Sequence, residues 1–148
     1  MGDSAGTLIS PQEEILLGEA FFRGLHQQVD INQDSEIQQY IQTIGEKLVS
    51  QSDTPAYPFH FFVVMENAIN AFAGPGGYVG VNSGLILMTD AESELASVMA
   101  HEIAHQWFGN CVTEKDWPQI WLSEGFATYF TNLYLQQSKG EQVFDEQL

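Results

Sequence analysis

The stretch MAHEIAHQWFGN, from Met99 to Asn110, carries the residues with the clearest capacity for chemistry. His101 and His105 are four positions apart in a segment with helical patterning, so both imidazoles would project from one helix face. Ring nitrogens at this spacing can reach one Zn²⁺ ion at about 2.0–2.1 Å, and the intervening Glu102 can reach a metal-bound water. The pattern predicts a zinc-binding catalytic helix. The alternative is an ordinary amphipathic helix that carries two histidines.

A third ligand decides between these readings, and Glu124 is the candidate. Eighteen residues separate it from His105, and it is flanked by the apolar residues Trp121, Leu122, Phe126 and Ala127. An unpaired carboxylate in such a setting would be costly, whereas a divalent cation beside it would offset that cost. We therefore predict three zinc ligands, His101, His105 and Glu124. The fourth position would stay open for water, as in catalytic rather than structural zinc sites.

Four long helices are expected to position these residues. Ser10–Glu13 and Thr89–Glu92 both read as capping boxes, Asp34 is an N-cap residue, and Pro118 can open a helix. Apolar residues at helical spacing follow each of these starts. The predicted helices cover about 11–28, 35–50, 92–108 and 118–137.

Three short strands are expected between the second and third helices. Segments 59–66, 68–73 and 77–84 are short and rich in β-branched, aromatic or small residues, and the turn GPGG separates the last two. Residues 84–89 read as a short bridge of about one helical turn. The order helix, helix, three strands, helix, helix predicts an α+β fold with a small, mostly antiparallel sheet.

Composition limits the classes of partner. The chain has 148 residues, enough for one domain, with a loose N-terminus over 1–9 and an acidic tail over 141–148. Twenty acidic and four basic residues give a net charge of −16, which repels nucleic acid and anionic membrane surfaces. No stretch approaches the roughly 18 apolar residues of a membrane span. No signal peptide is visible at the start, and the oligomeric state is not indicated.

Two family resemblances meet inside HEIAH. HEIAHQWFGNCVTEKDWPQIWLSEGFATYF, within Val98–Tyr134, resembles the zinc motif of the aminopeptidase N and leukotriene A hydrolase family in its HExxH-x18-E spacing and W-L-x-E-G-F-A signature. Pro11–His105, with its N-A-F-A and G-G-x-V motifs, resembles the soluble periplasmic relatives of the CAAX-prenyl proteases. Both families are gluzincins, zinc peptidases whose third ligand is glutamate. The chain is therefore either a natural compact gluzincin, similar to a minigluzincin, or an engineered chimera.

The resemblance implies a zincin-like single domain, a periplasmic origin for the first part, and zinc-dependent hydrolysis of peptide bonds. In this interpretation Glu102 acts as the general base on the metal-bound water. The substrate, a peptide or unfolded polypeptide, would add as a strand to an exposed edge strand whose glycines permit close approach. The predicted substrate-binding residues are Gly77, Tyr78, Val79, Gly80, Val81 and Asn82.

Departures from both families leave alternatives open. Only Met65, Glu66 and Asn67 remain of the G-x-M-E-N exopeptidase motif, and Thr128 stands where the prenyl-protease pattern has aspartate. No tyrosine is an obvious oxyanion stabiliser, so we expect an endopeptidase that is slow, or latent if the acidic tail occupies the open zinc position. The first alternative is a zinc-binding, catalytically silent scaffold that binds peptides as a chaperone does. The second is an aminopeptidase.

Overall fold

The computed structural model describes residues 10–51, 58–106 and 120–139. Within these ranges the chain combines five helices with three short strands, which confirms the predicted α+β class. None of the described helices has the length and apolar character needed to cross a bilayer. The helices are α1 (Pro11–Leu25), α2 (Ser35–Ser50), α3 (Ser83–Met88), α4 (Glu92–His105) and α5 (Ile120–Lys139), and the strands are β1 (His60–Val64), β2 (Ala71–Ala73) and β3 (Tyr78–Asn82).

The first two helices begin where the sequence predicts. The hydroxyl of Ser10 accepts a hydrogen bond from the Glu13 amide at 3.2 Å, and the Ser10 amide donates to the Glu13 carboxylate at 2.8 Å. These two bonds form the predicted capping box, and they lower the pKa of Glu13. Asp34 caps α2 by accepting from the Glu36 amide at 2.8 Å. The first helix ends at Leu25, three residues earlier than predicted.

The start of α4 differs from the predicted capping box at Thr89–Glu92. Ala91 is the N-cap residue and makes no side-chain capping bond. The hydroxyl of Thr89 instead donates to the Ile86 carbonyl at 3.1 Å, because residues 83–88 form a full helix and Thr89 completes its end. The Asp90 amide donates to the Glu94 carboxylate at 3.0 Å, which supplies some of the missing capping.

The sheet is mixed, so the prediction of a mostly antiparallel sheet is wrong. The strand order is β1-β3-β2: β1 runs parallel to β3, with His60 opposite Tyr78 and Val64 opposite Asn82, and β2 runs antiparallel to β3. The chain crosses from β1 to the far side of the sheet before it folds back through a tight turn. The last strand is therefore inserted between the first two, which a reading of strands in sequence order does not reveal.

The two faces of the sheet carry separate apolar clusters, because successive side chains of a strand point to opposite faces. Phe61 and Val63 join one cluster with β3, α2 and α4, whereas Phe62 and Val64 join another to which Phe22 of α1 contributes. Burial of each aliphatic side chain stabilises the fold by roughly 1.5–3 kcal/mol, so these contacts fix α4 firmly on the sheet. The buried apolar residues of α4 in this cluster are Leu95, Ala96, Met99 and Ile103.

The outer edge of β1 is closed by side chains of α2 and by a neighbouring loop. The side-chain amide of Gln38 donates to the Phe61 carbonyl, and the amide oxygen of Gln42 accepts from the Phe61 backbone N–H at 3.3 Å. Further along the strand, the Asn32 amide donates to the Val63 carbonyl at 2.8 Å. Three backbone groups of β1 that face away from β3, the N–H and C=O of Phe61 and the C=O of Val63, are thus already paired.

Candidate metal centre

Helix α4 presents two histidines side by side on one face. Their Nε2 atoms are 3.1 Å apart, and the ring centroids are 4.8 Å apart with the planes at 76°. His101 and His105 are one helical turn apart, which is why the two rings meet. Both side chains are partly buried, with 27% and 17% of their surfaces exposed. Their ring nitrogens therefore converge on one point at the helix surface.

Helix α5, which packs against α4, adds Glu124 to this pair. One carboxylate oxygen lies 3.3 Å from Nε2 of His101, and the other lies 3.4 Å from Nε2 of His105. Glu124 is 55% exposed, so the prediction that its apolar sequence neighbours would bury it is wrong. Glu124 lies on the face of α5 that turns toward the two histidines, and its carboxylate is accessible to solvent there.

The spacing of these three groups fits a tetrahedral metal ion. Two ligand atoms about 2.0–2.1 Å from an ion, at a tetrahedral angle, are roughly 3.3–3.4 Å apart. The two Nε2 atoms are 3.1 Å apart, and each histidine lies 3.3 or 3.4 Å from a different oxygen of Glu124, so the nearest separations are close to that spacing. Among the residues that the structure describes, His101, His105 and Glu124 form the one group of three or more such side chains that could hold a metal ion. Two imidazoles and a carboxylate are a donor set found in catalytic zinc sites, with a fourth position left for water.

Comparison of the sequence with known protein families identifies one that matches most of the chain. The sequence pattern of the Peptidase family M1 domain matches residues 48–148, more than half of the chain. The chain belongs to peptidase family M1. It is therefore a peptidase-family domain, and the metal-binding geometry agrees with a family of metallopeptidases.

Two kinds of named relative resemble this M1 chain. The beta-barrel assembly-enhancing protease of Yersinia pestis is 43% identical over 105 residues, which cover 71% of the chain and 22% of that protein. Aminopeptidase Q of Mus musculus is 54% identical over 43 residues, which cover 29% of the chain and 8% of that protein. The chain thus spans about a fifth or less of the length of these curated relatives.

Among the carboxyl groups that the structure describes in this M1 chain, Glu102 has the pKa that its surroundings shift most. Burial raises its pKa to about 7, the nearby Glu124 adds to the rise, and His105 opposes it. The Glu102 carboxyl thus interacts electrostatically with two of the predicted ligands, His105 and Glu124. A carboxyl group with a pKa near neutrality can both accept and release a proton under physiological conditions.

The predicted substrate strand is not at an edge. The structure places Tyr78–Asn82 in the centre of the sheet, with β1 on one side and β2 on the other, and buries Val79 and Val81 completely. Both sides of its backbone are used within the sheet, so no peptide can add to it as a further strand. The error follows from the unpredicted strand order.

The available edge is the outer side of β2. The Asn82 amide donates to the Asn70 carbonyl at 3.0 Å, and the Gly74 amide donates to the Tyr78 carbonyl at 2.7 Å, so these alternate residues face β3. By the alternation of an antiparallel ladder, the backbone groups of the alanines between them, Ala71 and Ala73, point away from β3. In the described part of the chain, no strand pairs with this side of β2.

Gln106 is a residue of the site region that sequence reasoning missed. It follows His105 directly and is fully buried, and its side-chain amide contacts the turn between β2 and β3. Of the six predicted substrate-binding residues, Gly77 and Tyr78 are the two that it contacts. An uncharged glutamine in the motif HEIAHQW gives little signal by itself. The clue available was its place next to a predicted ligand.

Of the tyrosines near the site whose side chains are described, Tyr78 is packed against other rings and Tyr129 is exposed. Tyr78 stacks on His60 and Phe22, with ring centroids 4.6 and 4.9 Å apart, and burial raises its pKa. Tyr129 lies edge-on to Phe130 at 5.6 Å. Predictions that concern the end of the third helix at Phe108, the helix start at Pro118 and the acidic tail lie outside the described residues.

Proposed function

We propose that this M1 chain is a zinc-dependent peptidase that hydrolyses peptide bonds with an activated water. The observation that carries the proposal is the convergence of His101, His105 and Glu124, in which the two Nε2 atoms are 3.1 Å apart and each lies within 3.4 Å of a Glu124 oxygen. When bound there, zinc would lower the pKa of its water toward about 7 and polarise the scissile carbonyl. Membership of the M1 family supports the same reaction class.

Glu102 acts as the general acid–base of this proposal. Its carboxylate accepts a proton from the attacking water and delivers it to the leaving amine. Burial raises the pKa of this carboxyl to about 7 in the metal-free protein, and a zinc ion beside it would lower that pKa and favour the carboxylate that accepts the proton. In this proposal His101, His105 and Glu124 bind the metal, and Glu102 accepts and donates the proton.

Substrate binding belongs, in this proposal, to the outer edge of β2. An extended peptide would pair with the outward backbone groups of Ala71 and Ala73. Recognition of this type uses the backbone, so it gives affinity with little dependence on sequence. It suits an unfolded polypeptide better than a folded protein.

Cleavage inside a chain fits the positions of the relevant groups better than removal of an N-terminal residue. Gln106 follows the predicted ligand His105 and contacts Tyr78 at the start of β3. The Glu66 carbonyl accepts a hydrogen bond from the Gly84 amide, just beyond the other end of this strand. A five-residue strand spans about 13–16 Å. Because Glu66 is the remnant of the exopeptidase anchor, its position favours an endopeptidase.

The test combines metal content with cleavage of a peptide blocked at both ends. Zinc-loaded wild type should contain one zinc per chain by elemental analysis and cleave the peptide. Glu124→Ala should lose most of the metal. Glu102→Gln should retain zinc but hydrolyse roughly 10²–10⁴-fold more slowly. A wild type that takes up no zinc from excess metal would contradict the proposal.

Two further outcomes separate the alternatives. A wild type that binds zinc and peptide but cleaves nothing would favour the catalytically silent scaffold. Cleavage of peptides with a free amino terminus, but not of blocked ones, would favour the aminopeptidase. A periplasmic origin, a join of two halves inside HEIAH and latency through residues 141–148 stay predictions.

A further inference from the structure

The side chain of Gln106 joins the metal-binding helix to the turn after β2. Its amide nitrogen donates to the Gly74 carbonyl at 2.9 Å and lies 3.5 Å from the Tyr78 carbonyl, and its amide oxygen accepts from the Gly77 N–H at 3.3 Å. The residue is 0% exposed. A buried primary amide has two donors and one acceptor oxygen, and here both types of group bind to one turn.

The same turn is held on its other side by α1. Oε1 of the buried Glu14 accepts from the Gly76 N–H at 3.3 Å. A Cβ at Gly18 would lie 2.6 Å from the Pro75 carbonyl oxygen, so the helix backbone approaches the turn directly. Gly76 adopts φ of +73°, a conformation that disfavours other residues. The turn is thus fixed to α1 by Glu14 and to α4 by Gln106.

We propose that Gln106 is a positioning residue that holds the β2 edge in register with the metal ligands. This inference rests on the proposed function. Gly74 is the residue that directly follows β2, and Gln106 directly follows the ligand His105, so a single side chain connects the two parts of the site. A peptide paired with Ala71 and Ala73 then presents its backbone at a fixed offset from the metal. Glu14 supports the turn without that connection.

Matched variants separate positioning from support of the fold. Gln106→Met keeps the length of the side chain but loses its strong hydrogen bonds, and Glu14→Met makes the equivalent change on the α1 side of the same turn. Both are placed in the zinc-loaded Glu102→Gln protein, so that peptide binding is measured without cleavage. Binding of a blocked, fluorescently labelled peptide is followed by anisotropy, zinc by elemental analysis, and unfolding by urea titration.

Gln106→Met should weaken peptide binding by roughly tenfold while zinc content stays the same, since a β2 edge that is no longer held in place must be ordered when the peptide binds. Glu14→Met should lower the urea midpoint to a similar degree but change peptide affinity by less than about threefold. Equal losses of affinity in the two variants, or loss of zinc from Gln106→Met, would overturn the positioning role.

A readout without metal or substrate keeps this inference distinct from the proposed function. In the metal-free protein, amide hydrogen exchange over residues 71–77 should be faster in Gln106→Met than in wild type. Gln106→Leu, which also has no side-chain donor or acceptor, should exchange about as fast as Gln106→Met. Unchanged exchange in these variants would refute the role of Gln106 even if the wild type proved to be an active zinc peptidase. Faster exchange without peptide binding to wild type would refute the proposed function instead.

Discussion

The two outer edges of the sheet are treated differently by this fold. On β1, the glutamine side chains of α2 and the segment around Asn32 pair with the outward backbone of Phe61 and Val63. On β2, the outward groups belong to two alanines, and the end of the strand is tied by Gln106 to the helix that carries the metal ligands. Unpaired strand edges attract other strands, and proteins usually protect them. The fold thus pairs the outer edge of β1 and leaves the outer edge of β2 open near the helix that carries His101 and His105.

This difference leaves β2 as the edge strand with which an extended peptide could pair. Parallel pairing of β1 with the central strand leaves β1 at the far side from the turn that Gln106 contacts. Strand addition at β1 would place a peptide away from His101 and His105 as well as displace Gln38 and Gln42. In the proposed function, closure of β1 therefore restricts strand addition to the β2 side of the sheet.

Opening the closed edge should produce the largest change in stability. Replacing Gln38 and Gln42 together by leucine removes both partners of the Phe61 backbone groups, which are buried. Each unsatisfied group costs about 1–3 kcal/mol, so the free energy of unfolding should fall by about 2–6 kcal/mol. Urea denaturation measures the loss, and light scattering should detect association through the opened strand.

The control for this variant is Gln39→Leu on the same helix. Gln39 is exposed, so its replacement should change stability by no more than about 0.5 kcal/mol. If the double variant stayed as stable and as monodisperse as this control, the closed edge of β1 would have no protective role.

Blocking the open edge should affect binding more than stability. Ala73→Pro removes an outward N–H that β3 does not use, and proline is tolerated on edge strands. Loss of one backbone bond to the peptide, together with the added ring, should weaken peptide binding by roughly tenfold. The experiment measures KM for a blocked peptide and zinc per chain. Ala73→Ser, which keeps the N–H, should bind peptide as the wild type does, and equal KM values for all three proteins would exclude β2 as the substrate edge.

The ligand set was predictable from sequence because its geometry is local. Helical spacing alone brings His101 and His105 together, and Glu124 needs only a helical hairpin to join them. The strand order was not predictable in this way, since insertion of β3 between β1 and β2 depends on a crossover and on long-range packing. The same crossover decides which edge is open, so the strand that was expected at an edge is central, whereas the three residues predicted as ligands lie together.

The sequence pattern also did not predict the solvent exposure of Glu124 or the hydrogen bonds of Gln106. Apolar neighbours suggested a buried Glu124, but which helix face meets α4 is decided by packing, and the side chain is half exposed. Gln106 binds Gly74 and Gly77, which precede it by about thirty positions in the chain. Contacts of this kind leave no periodicity, since they depend on the turn between β2 and β3 reaching the end of α4.

The smallest expected effect lies at the start of α1, on the side of the open edge. Ser10→Ala removes the capping bond to the Glu13 amide and should lower the free energy of unfolding by about 1 kcal/mol, as measured by urea titration.

The pH dependence of stability at this capping box follows from Glu13, whose pKa is lowered in the folded state. Its stabilising contribution is fully present above the unfolded pKa of 4.5 and is lost as pH falls through the lower folded value. Urea titrations at pH 7 and pH 3 should therefore show a smaller difference between wild type and Glu13→Gln at the acidic pH.

The location of this effect sharpens the contrast between the two edges. Because α1 carries Glu14, which holds the turn after β2, loosening its first turn should speed hydrogen exchange over residues 74–77. The amides of β1 should exchange as in wild type, since their partners come from α2 and the segment around Asn32. Equal acceleration on both strands would mean that the two edges are not independent, and that the capping box stabilises the whole sheet rather than the side that faces the metal centre.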